Sequence, residues 1–209
     1  MPKISSSMSR VLTASLMVIS MLGSVAWAQQ SPTVRIRGTI EAIDGSLLMV
    51  KSREGTDMKV RLTDNVAVFG VAKTTISEIK PGSYIGVSAM PEPDGTQKAL
   101  AVQIFPESQR GVAEGFRPWD LRPNSTMTNA TVAETVAGTD GEIILVKYKD
   151  GEKKVLVPPD TPIVSFVAGD RSELKPGARI IIFSATRKED GTLEATRVNV
   201  GRDGITPPM

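Results

Sequence analysis

The sequence predicts an all-β protein made of two small five-stranded barrels in tandem. Three observations predict it. A six-residue phrase occurs twice, Ser77-Glu78-Ile79-Lys80-Pro81-Gly82 and Ser172-Glu173-Leu174-Lys175-Pro176-Gly177. Around each copy, apolar residues alternate with polar ones at period two, the pattern of a strand with one buried face. Between the alternating runs stand Asp-Gly and other glycine-bearing pairs, which supply the positive φ that tight turns need.

The repeat extends well beyond the phrase. Asp44-Gly45 matches Asp140-Gly141, Val50-Lys51 matches Val146-Lys147, and Asp94-Gly95-Thr96 matches Asp190-Gly191-Thr192. Ala99 and Val102 match Ala195 and Val198. These pairs are 96 positions apart and the Lys-Pro-Gly copies 95, so the second unit has lost one position near its middle. Matches in constant order and spacing mark one structural unit used twice.

The chain opens on a segment of another kind. Lys3 and Arg10 give a positive start, Val11 to Val25 is apolar, and Ala26-Trp27-Ala28 is a small-x-small cleavage site. This predicts a Sec-type signal peptide over 1–28, read as a signal helix, and a periplasmic product with no membrane span after cleavage. Its apolar run is shorter than the ~20 residues a spanning helix needs. The remaining boundaries follow from the repeat: first unit 33–106, non-repeated linker 107–127, second unit 128–202.

Removing the signal alters the charge. The full chain holds 25 Lys+Arg and 23 Asp+Glu, and without Lys3 and Arg10 it has 23 of each. A neutral exported chain lacks the basic surface that phosphate backbones require, so no nucleic-acid partner is expected. There is no cysteine to cross-link the cores. They must hold by burial, and an aromatic content of 4% suits interiors filled with small aliphatic side chains.

Within the first unit, Val34, Ile36 and Ile40 alternate with Arg35, Arg37 and Thr39 to give the first strand, with Gly38 at a bend. Leu47 to Lys51 is the second strand. Met58, Val60 and Leu62, facing away from Lys59 and Arg61, begin the third, which Val66 to Phe69 extends. Thr74 to Ile79 is long enough for one helical turn before Lys80-Pro81-Gly82 stops it. Tyr84 to Met90 and Ala99 to Phe105 are the fourth and fifth strands. The second unit repeats the order from Val132 to Val200, with Pro158-Pro159 and Pro162 stiffening its middle. Three strands, a short helical turn and two strands is the order of the OB barrel, and a five-stranded SH3-like barrel, which uses similar local signals, is the alternative.

The pattern Gly38-Thr39-Ile40, Asp44-Gly45, Val50-Lys51, Gly55, Lys80-Pro81-Gly82, Asp94-Gly95, Ala99, Val102 resembles a family of exported bacterial proteins with tandem OB-like repeats, a domain of unknown function. The resemblance covers both units. Its motifs are turns and core positions, so it implies a fold and no chemistry.

Composition removes several chemistries. With no His or Cys, a histidine-dependent triad, the usual zinc sites and blue-copper sites are excluded. The Asp-Gly pairs do not form an alternating-acid calcium loop, and the methionines are dispersed. No cofactor and no enzymatic activity are expected. The linker holds the only Trp outside residues 1–28, flanked by Arg117 and Asp120. Trp and Arg are common interface anchors, so Arg117, Trp119 and Asp120 are the candidate ligand or partner contacts. The competing use for Trp119, with Phe116 and Leu121, is as apolar cement between the barrels. The expected function is a non-enzymatic exported binding or interaction module for an envelope protein or small ligand. Two alternatives stand beside it: a carboxylate-dependent hydrolase of envelope material, and an accessory protein of metal transport.

Overall fold

A computed structural model describes residues 33–209, and the predicted signal segment lies outside them. The described chain is all-β. Its strands are β1 (Thr33–Asp44), β2 (Leu47–Ser52), β3 (Asp57–Lys73), β4 (Tyr84–Pro91), β5 (Gln97–Ile104), β6 (Gly115–Pro118), β7 (Thr126–Gly138), β8 (Gly141–Tyr148), β9 (Gly151–Val157), β10 (Ile163–Ala168), β11 (Arg179–Arg187) and β12 (Leu193–Gly201). Single 3-10 turns at Ile76–Glu78 and Arg171–Glu173 precede the two Lys-Pro-Gly stops. The linker also contributes a strand, β6, which alternation did not predict because Gly115-Phe116-Arg117-Pro118 is too short to show a period.

Strand pairing crosses between the repeats. β1, β2 and β3 pair antiparallel in sequence, β3 then pairs parallel with β12, β12 with β11, and β11 antiparallel with β1. This closes a five-stranded barrel from three strands of the first unit and two of the second. The reciprocal pairings also exist: β7 with β8, β8 with β9, β9 parallel with β5, β5 with β4, and β4 with β7. The units at 33–106 and 128–202 are therefore units of sequence, and each circuit of hydrogen bonds draws on both.

The repeated phrase ties the exchange. Gly82 N–H donates to the Val132 carbonyl at 2.8 Å, and Gly177 N–H donates to the Ile40 carbonyl at 2.8 Å. Both glycines have φ near +87°, which a side chain would oppose (88° and 86°). Just ahead of each stop, Ile79 enters the core of the second circuit and Leu174 that of the first.

Each core follows from alternation. Ile36, Ile40, Leu48, Val50, Val60 and Leu62 turn inward, and Ile180, Ile182, Leu193, Ala195, Val198 and Val200 complete the first cluster. The jump from Ala195 to Val198 coincides with a register shift in β12, which restores the inward face. Ile85, Val87, Ala130, Val132, Ile144, Val146 and Val155 form the second cluster. Neither cluster has a buried aromatic ring, in keeping with the composition.

The circuits meet where the end of β3 pairs antiparallel with β10, Val71 opposite Phe166. These two residues are 95 positions apart, the spacing of the Lys-Pro-Gly copies, so equivalent residues face each other across an approximate twofold axis. Pro158-Pro159 and Pro162 break the second unit's third strand into β9 and β10, whereas β3 runs unbroken.

Candidate functional site

The aromatic residues missing from the cores line up between the circuits. Tyr84 contacts Phe105 (ring centroids 5.3 Å apart), Phe105 contacts Phe166 (5.7 Å), Phe166 contacts Phe183 (6.2 Å), and Phe183 contacts Trp119 (6.4 Å). Against this row lies a cavity of about 420 Å³, whose lining includes Phe105, Phe166, Phe183, Met127 and Trp119. Its volume is in the range of roughly 300–1,000 Å³ usual for small-molecule sites.

Sheet geometry supplies its polar wall. Gly86 on β4 pairs with Gln103 on β5 and with Asn129 on β7, so two carboxamides flank a glycine on adjacent strands. A Cβ on Gly86 would lie 2.7 Å from Gln103 Nε2 and 2.9 Å from Asn129 Oδ1, so the bare glycine makes room for both amides. The linker folds over the same wall. The Val112 carbonyl accepts from Tyr84 Oη and from Asn129 Nδ2, each at 3.1 Å, and Gln109 is buried beside it.

Several polar atoms here lack partners. Gln103 Oε1, Gln109 Nε2, Asn129 Oδ1, Trp119 Nε1 and Arg35 Nε are all buried without a hydrogen bond, and all five residues line the cavity. Gln103, Gln109 and Asn129 are only 2–3% exposed. An unmade hydrogen bond on a buried group costs about 1–3 kcal/mol. Five of the nine such atoms among the described residues lie around this one cavity.

The candidate residues divide over this site. Trp119 and Arg117 line the cavity, and Asp120 is exposed at its edge. Trp119 is partly buried, with the Arg35 guanidinium carbon 3.6 Å above its ring centroid and that of Arg117 at 5.6 Å. Asp120 Oδ1 accepts from Arg35 Nη1 at 2.6 Å and from Arg37 Nη2 at 2.7 Å. Burial pushes the Asp120 carboxyl up, but the hydrogen bonds and charges of Arg37 and Arg35 outweigh it and hold it at about 2. Asp120 thus fixes Arg35 in its stack on Trp119. Of the other two linker apolar residues, Phe116 is exposed under Lys153 Nζ at 4.4 Å, and Leu121 is only partly buried.

Sequence reasoning missed Arg35, Gln103, Gln109, Asn129 and Arg197. Each stands at an ordinary polar position of an alternating strand or in the linker, and only the exchange of strands brings them together. Gln103 carried one faint signal: it interrupts the apolar run from Ala99 to Phe105.

Charge at the cavity is one-sided. Arg35, Arg117 and Arg197 line it, and among the described residues no Asp or Glu does. Arg117 donates to the Ala113 carbonyl at 2.8 Å and Arg197 to Gln109 Oε1 at 3.3 Å. Among the described residues neither is paired with a carboxylate. Burial, then the charge of Arg35, disfavours the charged form of Arg117. Burial, followed by the charge of Glu114, pushes the Tyr84 hydroxyl up to about 12, so it remains a neutral donor to Val112.

Among the described residues, no group of three or more acidic side chains is placed to hold a metal ion, and no helix is long and apolar enough to cross a membrane. Comparison with protein-family models, curated proteins and solved structures gave no match.

Proposed function

We propose that this is a non-enzymatic exported binding module that holds a small ligand in the cavity between two OB-like barrels. Each barrel is completed by the fourth and fifth strands of the other repeat, in the strand order of an OB barrel. In this reading the protein works in the periplasm after loss of residues 1–28. Trp119 supplies apolar contact, Arg117 a charged donor, and Asp120 positions Arg35. The observation that carries the proposal is the set of five buried, unpartnered polar atoms on the cavity lining. A bound ligand would repay their desolvation.

The alternatives draw less support from the same place. A carboxylate-dependent hydrolase needs two acids facing a cleft, and this lining has none. A soft-metal role needs clustered sulfurs, and Met127 is the single methionine on the lining among the described residues.

Native mass spectrometry of protein recovered from the export compartment tests the reading. The expected mass is that of a chain beginning near Gln29 plus a small molecule that is released on denaturation. Protein that carries no such addition, and stays bare after incubation with an extract of its own envelope, would refute the binding role.

A further inference from the structure

We infer that the ligand is a small organic carboxylate with an apolar, preferably aromatic, body and at least one hydroxyl or amide hydrogen. The inference rests on the binding reading above and goes beyond it by naming the chemistry.

The anionic end follows from charge. Arg35, Arg117 and Arg197 reach the cavity together. Asp120 compensates Arg35, which leaves Arg117 and Arg197 without an acidic partner among the described residues. Guanidinium groups that are half withdrawn from water and not neutralised favour an anion, and their planar forks match a carboxylate. The unpaired N–H groups of Trp119 Nε1 and Gln109 Nε2 add neutral donors. Glu114, an acid of the linker, accepts from the Lys149 amide at 3.0 Å.

The other features come from the remaining walls. Phe105, Phe166, Phe183 and Met127 offer ring faces and a thioether to an apolar body. Gln103 Oε1 and Asn129 Oδ1 are acceptors without donors, and a carboxylate cannot satisfy them. A hydroxyl or amide N–H on the same ligand can. Inorganic phosphate would meet the arginines and leave the ring wall and both acceptors unused.

The test uses 3-phenyllactate, its neutral amide and inorganic phosphate as probes, with Trp119 emission and titration calorimetry as readouts. Residue Trp119 is the sole tryptophan after the predicted cleavage point, so its emission reports this site. We expect 3-phenyllactate to bind saturably, and the amide and phosphate to bind at least tenfold more weakly. Arg117→Gln and, separately, Arg197→Met should each weaken 3-phenyllactate tenfold or more and leave the amide unchanged. Arg197→Lys should recover part of the loss. Equal binding of amide and carboxylate would overturn the anion assignment and leave the cavity reading standing. Tighter binding of phosphate than of 3-phenyllactate would overturn the apolar component. Failure of all three probes would overturn this inference, and an independent ligand mass in the native protein would show that the binding reading survives it.

Discussion

Two rows of residues, one on each circuit, occupy equivalent places and have been put to opposite uses. On the second circuit the row is Gln103, Gly86 and Asn129. On the first it is Asn199, Ile181 and Arg37, in the same strand order and register. Where one has glycine the other has isoleucine. Ile181 is 1% exposed and packs with Met127 and Met209, and the Met209 carbonyl accepts from Arg37 Nε at 2.5 Å. Asn199 has closed on its neighbour, donating to the Ile181 carbonyl at 3.1 Å. The first row is filled, although Asn199 Oδ1 is buried without a partner as Asn129 Oδ1 is, while the second keeps a hollow edged by amides. Both circuits have the same strand order. The rows differ at all three positions, and the largest difference in side-chain volume is glycine against isoleucine.

The strongest way to break this comparison is to remove one repeat. A fragment of residues 29–108 contains three strands of one circuit and two of the other. It should be unable to close a circuit as a monomer in the observed arrangement and should instead sediment as a folded, β-rich dimer exchanging its β4–β5 hairpins. A folded monomer would show that β4 and β5 can return to their own repeat, and the pseudosymmetric exchange would lose its force.

The next effect sharpens the contrast between the rows. Ile181→Ala should cost about 2–5 kcal/mol in urea unfolding, because it opens a cavity in a packed seam. Gly86→Ala should cost about 1 kcal/mol, since it crowds side-chain atoms of Gln103 and Asn129 and no backbone. It should nonetheless abolish probe binding by pushing those amides into the hollow. Equal stability losses from the two changes, with binding intact in Gly86→Ala, would mean that the rows do not differ in use.

The smallest effect concerns the rim. Asp120 has a folded-state pKa of about 2 against an ordinary value of 3.8. A depressed carboxylate stabilises fully above its unfolded value, and the contribution disappears as pH falls through the folded value. Its side chain is half exposed, so solvent screening limits the contribution to about 1 kcal/mol. Asp120→Asn should therefore destabilise by about that amount at pH 6, and its curve should converge on that of the parent between about pH 4 and pH 2. A difference that persisted unchanged to pH 2 would remove the ion pair from the account.

Legibility in the sequence followed the range of the interactions. Turns and alternation are local, so Gly45, Gly82 and the apolar positions of β1 to β5 revealed the strands. Which copy of β4 and β5 closes which circuit depends on pairing between distant segments, and the two copies are alike in the very positions that direct pairing. A constant spacing of 96 also misplaced the first hairpin of the second unit. Ile40 pairs with Val50, and Val132 with Val146, so these first strands correspond at a spacing of 92. Four further residues lengthen the hairpin, leaving Val136 50% exposed at its outer end. At the site, Trp119 and Arg117 were legible because a lone Trp in a non-repeated linker is conspicuous. Gln103 and Asn129 were not, because a polar residue in an alternating strand ordinarily means solvent, and only the opposing circuit turns it into a wall.

The crossed pairing also governs when the chain can fold. Gly38 lies beside Ile180, 142 positions later. The circuit that begins at Thr33 therefore stays open until Arg179–Gly201 is available, and the ordering entropy of that long loop falls before its contacts form. β1 to β3 gain no closed core of their own, whereas the second circuit, β4 to β9, lies within residues 84–157 and closes without either end of the chain. Local damage then acts at a distance: a proline placed in β12, where it pairs with β3, would leave unfinished the circuit that β1 starts.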